Sequence, residues 1–221
     1  MTNKLFYNTV GTRLLSTLQF LMKSDEFSMF RLVGGTSLSL QLGHRESVDI
    51  DLFTDAMYDT VDFKVLDKFL KQNFKYVDSF STDLIGMGKT YYVGDAANEC
   101  IKLDLYYTDA FIQPLKVIDG LRLASIEEIV AMKIEVVARK GRKKDFWDIH
   151  ELIDEIPIQK MLDLHFQRYP YSHDKEGIIA NFIDFSKADT ENNPNCLRGK
   201  YWEVIKLDFV EKVKAYTEQM K

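Results

Sequence analysis

The sequence predicts an α+β fold, in which a mixed β-sheet flanked by helices forms a core over residues 1–124 and a C-terminal helical bundle follows over residues 125–221. Before residue 124, apolar and polar residues alternate in several segments, as is typical of strands. After it, apolar residues recur at helical spacing, and prolines and asparagines separate the segments. A chain of 221 residues is long enough for a core domain with a smaller packed extension.

The first elements surround two adjacent glycines. Apolar residues recur at helical spacing over Thr9–Lys23, which predicts an amphipathic helix. The apolar run Met29–Val33 ends at the glycines and therefore predicts a short buried strand that leads into a tight turn. A second helix is predicted over Ser37–Leu42, because Gly43 follows where a left-handed residue commonly ends a helix.

The segment Val48–Phe53 carries two carboxylates at alternate positions. Apolar residues alternate with Asp49 and Asp51, so a strand is predicted with both acids on the same face. The next segment, Asp62–Phe74, has apolar residues at helical spacing and is predicted to be a helix. The two acids therefore lie between two predicted helices.

Three further strands are predicted over Tyr76–Phe80, Lys89–Val93 and Ile101–Tyr107, because β-branched and aromatic residues alternate there with polar ones. We expect these strands to pair in antiparallel fashion. In the last of them Asp104 points away from the leucine face. Residues Leu115–Ile118 are predicted to add an edge strand.

The C-terminal half is predicted to be helical. Ser125 and Glu128 form a capping-box pattern that begins a helix running to about Lys140, and Gly141 is predicted to end it. Four further helices are predicted over residues 146–153, 158–168, 174–186 and 200–218, because prolines and an Asn-Asn-Pro loop separate these segments.

The composition favours a reduced, cytoplasmic protein that is not in a membrane. The formal net charge is −5, so the overall field does not favour nucleic acid, although a local basic patch could bind phosphates. The two cysteines, Cys100 and Cys196, are fewer than a disulfide framework would normally use. We find no signal-peptide pattern and no apolar run long enough to span a bilayer.

The acids indicate a metal site. Two carboxylates one residue apart on a strand project side by side, close enough to bridge two metal ions, and hard oxygen ligands suit Mg²⁺. Asp49 and Asp51 fit this description, and Asp104 on another strand could act as a third ligand or as a general base. The alternative is that Asp49 and Asp51 are solvated carboxylates on an edge strand and that Asp104 is an ordinary surface residue.

The glycine turn indicates a phosphate site. Gly34 and Gly35 would let the backbone approach a triphosphate, because no side chain stands in the way. Thr36 and Ser37, at the start of the following helix, could donate hydroxyl and amide hydrogens to it. Arg45, in the loop before the acids, could contact a phosphate or an aspartate.

These residues form the pattern Val33-Gly34-Gly35, Asp49-Ile50-Asp51-Leu52 and Leu103-Asp104-Leu105. The pattern resembles that of the DNA polymerase beta-like nucleotidyltransferase superfamily. More narrowly, the stretches LVGGTSLSLQLGHRESVDIDLFT and KIEVVARKGRKKDFWDIHEL resemble the AbiEii/AbiGii abortive-infection toxin family of bacterial nucleotidyltransferases. The resemblance implies an enzyme that requires Mg²⁺ and transfers a nucleotidyl group from a nucleoside triphosphate. Such an enzyme is a transferase of phosphorus-containing groups.

Further site residues are implied by the resemblance. Asp49 and Asp51 would hold the metals, Lys133 would contact the triphosphate, and Asp145 or Asp148 would be a second essential acid. Where the family commonly has Arg-Asp, this chain has lysine before Asp145, and a lysine cannot form the planar two-point contact of an arginine.

The resemblance leaves the acceptor and the partner open. Family members transfer nucleotides to protein or RNA targets, some of them to tRNA, and are neutralised by an antitoxin. A basic segment could bind an RNA backbone here, or be a solvated helix end. Its residues are Arg139, Lys140, Arg142, Lys143 and Lys144. The alternatives are transfer to a small molecule, as in aminoglycoside nucleotidyltransferases, and a non-catalytic module that binds a protein partner.

Overall fold

The computed structural model describes residues 4–79 and 86–220, which divide into two compact units. The first unit comprises residues up to 43 together with residues 47–124, and the second comprises residues 44–46 and the chain from residue 125 onward. The first contains a sheet with helices and the second contains helices, so the predicted α+β class is confirmed. A functional division at residues 124 and 125 stays a prediction.

The first unit is built on a seven-stranded sheet with the order β3-β4-β5-β2-β1-β7-β6. Its strands are β1 (Arg31–Leu32), β2 (Asp49–Thr54), β3 (Tyr76–Ser79), β4 (Gly88–Gly94), β5 (Cys100–Tyr107), β6 (Lys116–Ile118) and β7 (Leu121–Leu123). Its helices are α1 (Thr12–Lys23), α2 (Gly34–Leu42) and α3 (Phe63–Asn73). The pairs β2–β5 and β1–β7 are parallel and the other pairs are antiparallel, so the sheet is mixed, as predicted.

One face of the central strands is buried. On β2, Ile50 and Leu52 are fully buried, and on β5 the same is true of Leu103 and Leu105. These side chains join the apolar face of α1 in the core of the unit. Burial of each such side chain contributes roughly 1.5–3 kcal/mol, so the alternation fixes which face of each strand is turned to the core. The acidic positions are therefore confined to the opposite face.

Most predicted elements of the first unit are confirmed, with shifted ends. Gly43 ends α2 in the left-handed conformation with φ of 72°, as expected. The three predicted strands after α3 pair in antiparallel order, as expected. The predicted strand end at Phe80 lies outside the described residues. Two elements differ from the prediction, because α2 begins at Gly34 rather than Ser37 and β7 was not predicted at all.

Over its described residues, the second unit contains five α-helices: α4 (Ile126–Ala138), α5 (Lys143–His150), α6 (Ile158–Arg168), α7 (Lys175–Asn181) and α8 (Trp202–Gln219). The side chain of Ser125 caps α4 by accepting a hydrogen bond from the amide of Glu128 at 3.1 Å, as predicted. Aromatic rings of α5 and α8 pack edge to face, with Phe146 and Phe209 at 5.4 Å between ring centroids. Among the described residues, no helix is both long enough and apolar enough to cross a membrane.

Two predictions about this unit were wrong in detail. The helix predicted over residues 174–186 ends at Asn181, after which the chain continues in turns. Helix α4 ends at Ala138 rather than at about Lys140, and Lys140, just before Gly141, takes a left-handed conformation with φ of 61°. The reason for the glycine is space, because a Cβ atom on Gly141 would lie 2.8 Å from Cγ2 of Val137.

Candidate active site

The three carboxylates singled out from the sequence lie on the solvent-facing side of the sheet in the first unit. Asp49 and Asp51 are on β2 and Asp104 is on β5, at positions that alternate with the buried core residues. In the parallel register of these strands, Asp51 is the direct partner of Asp104, and Asp49 is the partner of Lys102. The structure therefore brings the three predicted acids together on one face, because paired strands lie about 4.8 Å apart.

Both oxygens of the Asp104 carboxylate have partners. The hydroxyl of Thr90 on β4 donates to Oδ1 at 2.7 Å, and the ammonium group of Lys102 donates to Oδ2. Burial alone would lower the pKa of Lys102, but the neighbouring Asp104, Asp51 and Asp49 together raise it above its ordinary value. Lys102 is thus a cation that interacts with all three acids, and it was not among the site residues predicted from the sequence.

The donor set suits a hard cation. Among the described residues, no group of three or more histidine, cysteine, aspartate or glutamate side chains forms a ready-made metal cage. Mg²⁺ does not need one, since it is usually bound by one or two carboxylates together with water and substrate phosphates. Asp49 and Asp51 supply two such carboxylates, and Lys102, the strand partner of Asp49, pairs with Asp104 beside them.

The start of α2 lies against Asp51. The amide of Val33 donates to the backbone oxygen of Asp51 at 2.9 Å. Gly34 has φ of +67°, and a Cβ atom on it would lie 2.5 Å from Oδ2 of Asp51. Only glycine therefore fits at this position, both for its backbone conformation and for the approach of the carboxylate.

The hydroxyls of the next two residues are used within the protein. Thr36 and Ser37 are fully buried. The Thr36 hydroxyl donates to the backbone oxygen of Asp49 and lies 2.8 Å from the hydroxyl of Ser47. Ser37 Oγ accepts a hydrogen bond from the side chain of Gln41 at 3.2 Å. Thr36 thus holds the strand that carries the acids, and contact of these two hydroxyls with a triphosphate stays a prediction.

The second unit contains a buried cluster of charges around Asp148, which is inaccessible to solvent. Arg45 binds this carboxylate at two points, from Nε at 2.6 Å and from Nη2 at 2.8 Å. His44 Nε2 lies 2.8 Å from Oδ1 and Lys133 Nζ lies 2.8 Å from Oδ2. Burial would raise the pKa of Asp148, but the adjacent Lys133 and Arg45 hold it well below its ordinary value. Asp148 is therefore a buried anion.

Asp145 belongs to the same cluster. It accepts hydrogen bonds from Lys133 Nζ at 2.6 Å and from Arg142 Nε at 2.9 Å, and it caps the start of α5 through the amide of Arg142. Burial would raise its pKa, but Lys133 and Arg142 lower it. Burial would likewise lower the pKa of Lys133, but Asp145 and Asp148 raise it.

The structure shows which partner Arg45 has in this cluster. The sequence suggested a phosphate or an aspartate, and Arg45 binds Asp148. The burial of Lys133 could have been predicted from the sequence, because apolar residues lie one helical turn away on either side. These residues, Val130 and Val137, are both buried. The roles implied for Lys133 and the two aspartates stay predictions.

The basic segment is largely paired with acids of its own unit. Arg139 pairs with Glu135, Lys140 with Asp184 at 3.5 Å, and Arg142 with Asp145. Lys143 is buried and lies 5.2 Å from the ring centroid of Trp202. A role of this segment in binding RNA stays a prediction.

Comparison with known proteins gives a consistent result. The family described as nucleotidyl transferase AbiEii toxin, type IV toxin-antitoxin system, matches residues 14–217. An uncharacterized protein of Aquifex aeolicus (strain VF5), aq_aa25, is 27% identical over 200 residues, which cover 86% of this chain and 88% of that protein.

Two solved structures share the fold. JHP933 from Helicobacter pylori superposes with a TM-score of 0.55 at 19% identity, covering 93% of this chain and 89% of its own. MenT4, a nucleotidyltransferase toxin from Mycobacterium tuberculosis H37Rv, gives a TM-score of 0.50 at 15% identity, covering 92% and 90%. At these identities the likeness establishes the fold alone. The family match, which extends over nearly all of the sequence, establishes that this chain belongs to the AbiEii family of nucleotidyltransferase toxins.

Proposed function

We propose that this chain transfers a nucleotidyl group from a nucleoside triphosphate to an acceptor hydroxyl in a reaction that requires Mg²⁺. The single observation that carries the proposal is the row of acids on the open face of the sheet. Asp51 and Asp104 are direct partners on neighbouring strands, and Gly34 at the start of α2 lies against Asp51. The nearness of these residues within one unit supports the proposal that the acids bind the metal and act on the acceptor, and that the backbone at Gly34 approaches the phosphates.

The carboxylates of Asp49 and Asp51 would hold Mg²⁺, and Asp104 would act as a third ligand or, as we propose below, as the general base. When bound, the metal would neutralise the triphosphate and polarise its α-phosphorus. The protein contributes rigidity, because Thr36 fixes the backbone at Asp49 and Val33 fixes it at Asp51. Positioning and charge stabilisation supply most of the catalysis in reactions of this class.

The triphosphate would lie over Gly34, Gly35 and the first turn of α2. Backbone amides at a helix N-terminus favour an anion, and the absence of side chains at the two glycines allows a close approach. The contact of Lys133 with the triphosphate, implied by the family resemblance, stays a prediction, because its ammonium group is buried between Asp145 and Asp148.

Asp104 is proposed to act on the acceptor. Its carboxylate would take the proton of the acceptor hydroxyl as the oxygen forms a bond to the α-phosphorus. The bond between the α-phosphorus and the bridging oxygen to the β-phosphorus then breaks, and pyrophosphate leaves. Thr90 and Lys102 orient Asp104 for this role.

We further propose tRNA as the acceptor to test first, a cytoplasmic location, and control by an antitoxin. The family description, which names a toxin of a toxin-antitoxin system, supports the antitoxin. MenT4, which has this fold, is itself described as a nucleotidyltransferase toxin, and this description supports the same activity and role for the present chain.

The test compares two isosteric variants. Purified protein is incubated with Mg²⁺, deacylated tRNA and each labelled nucleoside triphosphate in turn. Asp51→Asn is expected to lower transfer at least about a hundred-fold, because the amide oxygen carries no negative charge and is a much weaker ligand for Mg²⁺ than a carboxylate. Asp109→Asn, at an exposed aspartate of the same unit, is the control and is expected to retain activity. Full transfer by Asp51→Asn would refute the assignment of the site.

A further inference from the structure

Two aromatic residues, Phe53 and Tyr106, lie next to the row of acids on the same face of the sheet, and we call them the aromatic row. Phe53 comes two residues after Asp51 on β2, and Tyr106 comes two residues after Asp104 on β5. Phe53 and Tyr106 are direct partners in the strand register, as the two acids are. All four side chains alternate with buried core residues and are partly exposed. The aromatic pair therefore lies beside the acids, about 6.6 Å along the strands.

The Tyr106 ring is tied to the acid next to it. Its hydroxyl lies 3.1 Å from the hydroxyl of Thr90, which in turn donates to Asp104 Oδ1 at 2.7 Å. The centroids of the Phe53 and Tyr106 rings are 5.9 Å apart, and their planes are inclined by 57°. The two rings are consequently tilted against each other and do not form a flat stack, and they present aromatic surface on the solvent-facing side of the sheet.

The backbone makes room for this arrangement. Gly88 on β4 is the partner of Tyr106, and a Cβ atom on it would lie 2.6 Å from Cδ1 of the Tyr106 ring. On the other side, Arg31 on β1 is the partner of Phe53. The Arg31 guanidinium lies 3.6 Å from the centroid of the Phe111 ring and donates to the backbone oxygen of Gln113 at 3.1 Å. These contacts hold the guanidinium group of Arg31, which thus places a positive charge at the β1 side of the aromatic row.

We propose that Phe53 and Tyr106 form a subsite that stacks the terminal nucleobase of the acceptor. This inference rests on the proposed nucleotidyl transfer. Aromatic side chains on a sheet bind unstacked bases by their π-faces, without requiring a particular base. With the acceptor hydroxyl at Asp104, a base on Tyr106 would be one nucleoside's length away along the strand. The acceptor class is then a nucleic acid with a free terminal nucleotide.

The direction of the reaction favours the acceptor over the triphosphate as the source of this base. In phosphoryl and nucleotidyl displacement, the attacking and leaving oxygens lie roughly in line. If the pyrophosphate leaves toward Gly34, which lies against Asp51 on the β1 side, the attacking hydroxyl must approach from the opposite side of Asp51. That side is occupied by β5, which carries both Asp104 and Tyr106.

The test compares protein variants in which the two aromatic residues are replaced, and it measures each variant with two RNAs. Phe53→Leu and Tyr106→Leu remove the rings, Tyr106→Phe keeps the ring without its hydroxyl, and Phe20→Leu on α1 controls for the loss of a partly exposed aromatic residue. The RNAs are an acceptor-stem RNA and the same RNA without its terminal base. Transfer yields KM values for RNA and for the triphosphate. Fluorescence anisotropy in an Asp51→Asn background yields RNA affinity without turnover.

Each leucine variant in the aromatic row should weaken binding of the intact RNA by about 5- to 150-fold, which corresponds to the stacking of one base. Affinity for the RNA without its terminal base, and KM for the triphosphate, should not change. Tyr106→Phe and Phe20→Leu should bind the intact RNA as the wild type does.

Two results would overturn the proposal. Equal loss of affinity for both RNAs, or no loss for either, would mean that the rings only pack against the sheet. An increased KM for the triphosphate with unchanged RNA affinity would place the base of the triphosphate there instead. If the wild type binds RNA with the expected preference but transfers nothing, the proposed function has failed and the subsite has not.

Discussion

Replacing Gly34 with alanine perturbs the contact between α2 and the acids with a single methyl group. Gly34 has φ of +67°, a conformation that costs an alanine about 1–2 kcal/mol. For a chain of this length, that cost lowers Tm by about 2–8 °C. The new Cβ atom would also lie 2.5 Å from Oδ2 of Asp51, so the carboxylate must move by about 0.5 Å to reach the 3.0 Å limit of real contacts.

The displacement of Asp51 should reduce activity beyond the loss of stability. A misplacement of 1 Å at a reacting centre can cost about a hundred-fold in rate. A shift of about half that size is therefore expected to reduce kcat by about ten-fold or more. The assay is steady-state nucleotidyl transfer at a temperature well below the Tm of the variant, with thermal unfolding followed in parallel.

Gly120→Ala is a matched control. Gly120, in the turn between β6 and β7, also has a left-handed backbone, with φ of +79°, but a Cβ atom on it would have no neighbour within 4 Å. It should lower Tm by a similar amount and leave kcat unchanged. If Gly34→Ala and Gly120→Ala lose activity equally, or if neither does, the contact with Gly34 does not position the Asp51 carboxylate.

Two further predictions concern the charged residues of each unit. Asp148→Asn leaves Arg45 and Lys133 buried with less negative charge, so the free energy of unfolding in urea should fall by about 3–5 kcal/mol; a loss below 1 kcal/mol would contradict a role in stability. Because the pKa of Asp148 is lower in the folded than in the unfolded state, its contribution is fully present above about pH 4 and is lost as the pH falls further. Urea titrations from pH 7 to pH 3 should therefore show a steeper decline for the wild type than for Asp148→Asn, and parallel curves would refute the assignment. Lys102→Gln removes a cation that competes with Mg²⁺. The Mg²⁺ concentration that half-saturates triphosphate binding, measured by calorimetry, should therefore fall by about two- to five-fold. An increase would show that the ammonium group assists binding.

The arrangement of the acids was predictable because strands have a strict period of two. Asp49 and Asp51 alternate with buried residues, and only one face of β2 remains for them. Asp104 follows the same rule on β5. The parallel register that pairs Asp51 with Asp104 was not predictable, since it depends on how two segments distant in sequence meet in the sheet. The aromatic row beside them was not predicted for the same reason.

Other features depend on packing that local patterns do not encode. β7 has three residues, too few to show a period. Gly141 was predicted to end α4, but the sequence did not show that this glycine allows the close packing of Val137 or that Lys140 takes the left-handed conformation. The ion pairs of Lys133 with Asp145 and Asp148 on the next helix were not predicted, because they are recognisable only in three dimensions.

The central claim is that the acid row transfers a nucleotidyl group, and the position of the label in the triphosphate tests it most directly. Wild-type protein, Mg²⁺ and tRNA are incubated in separate reactions with triphosphates labelled at the α- or at the γ-phosphorus. We predict that only the α-label enters the RNA, with one pyrophosphate released per transfer, and that Asp49→Asn and Asp51→Asn abolish both. Transfer of the γ-label, or α-label transfer that survives both substitutions, would contradict the claim.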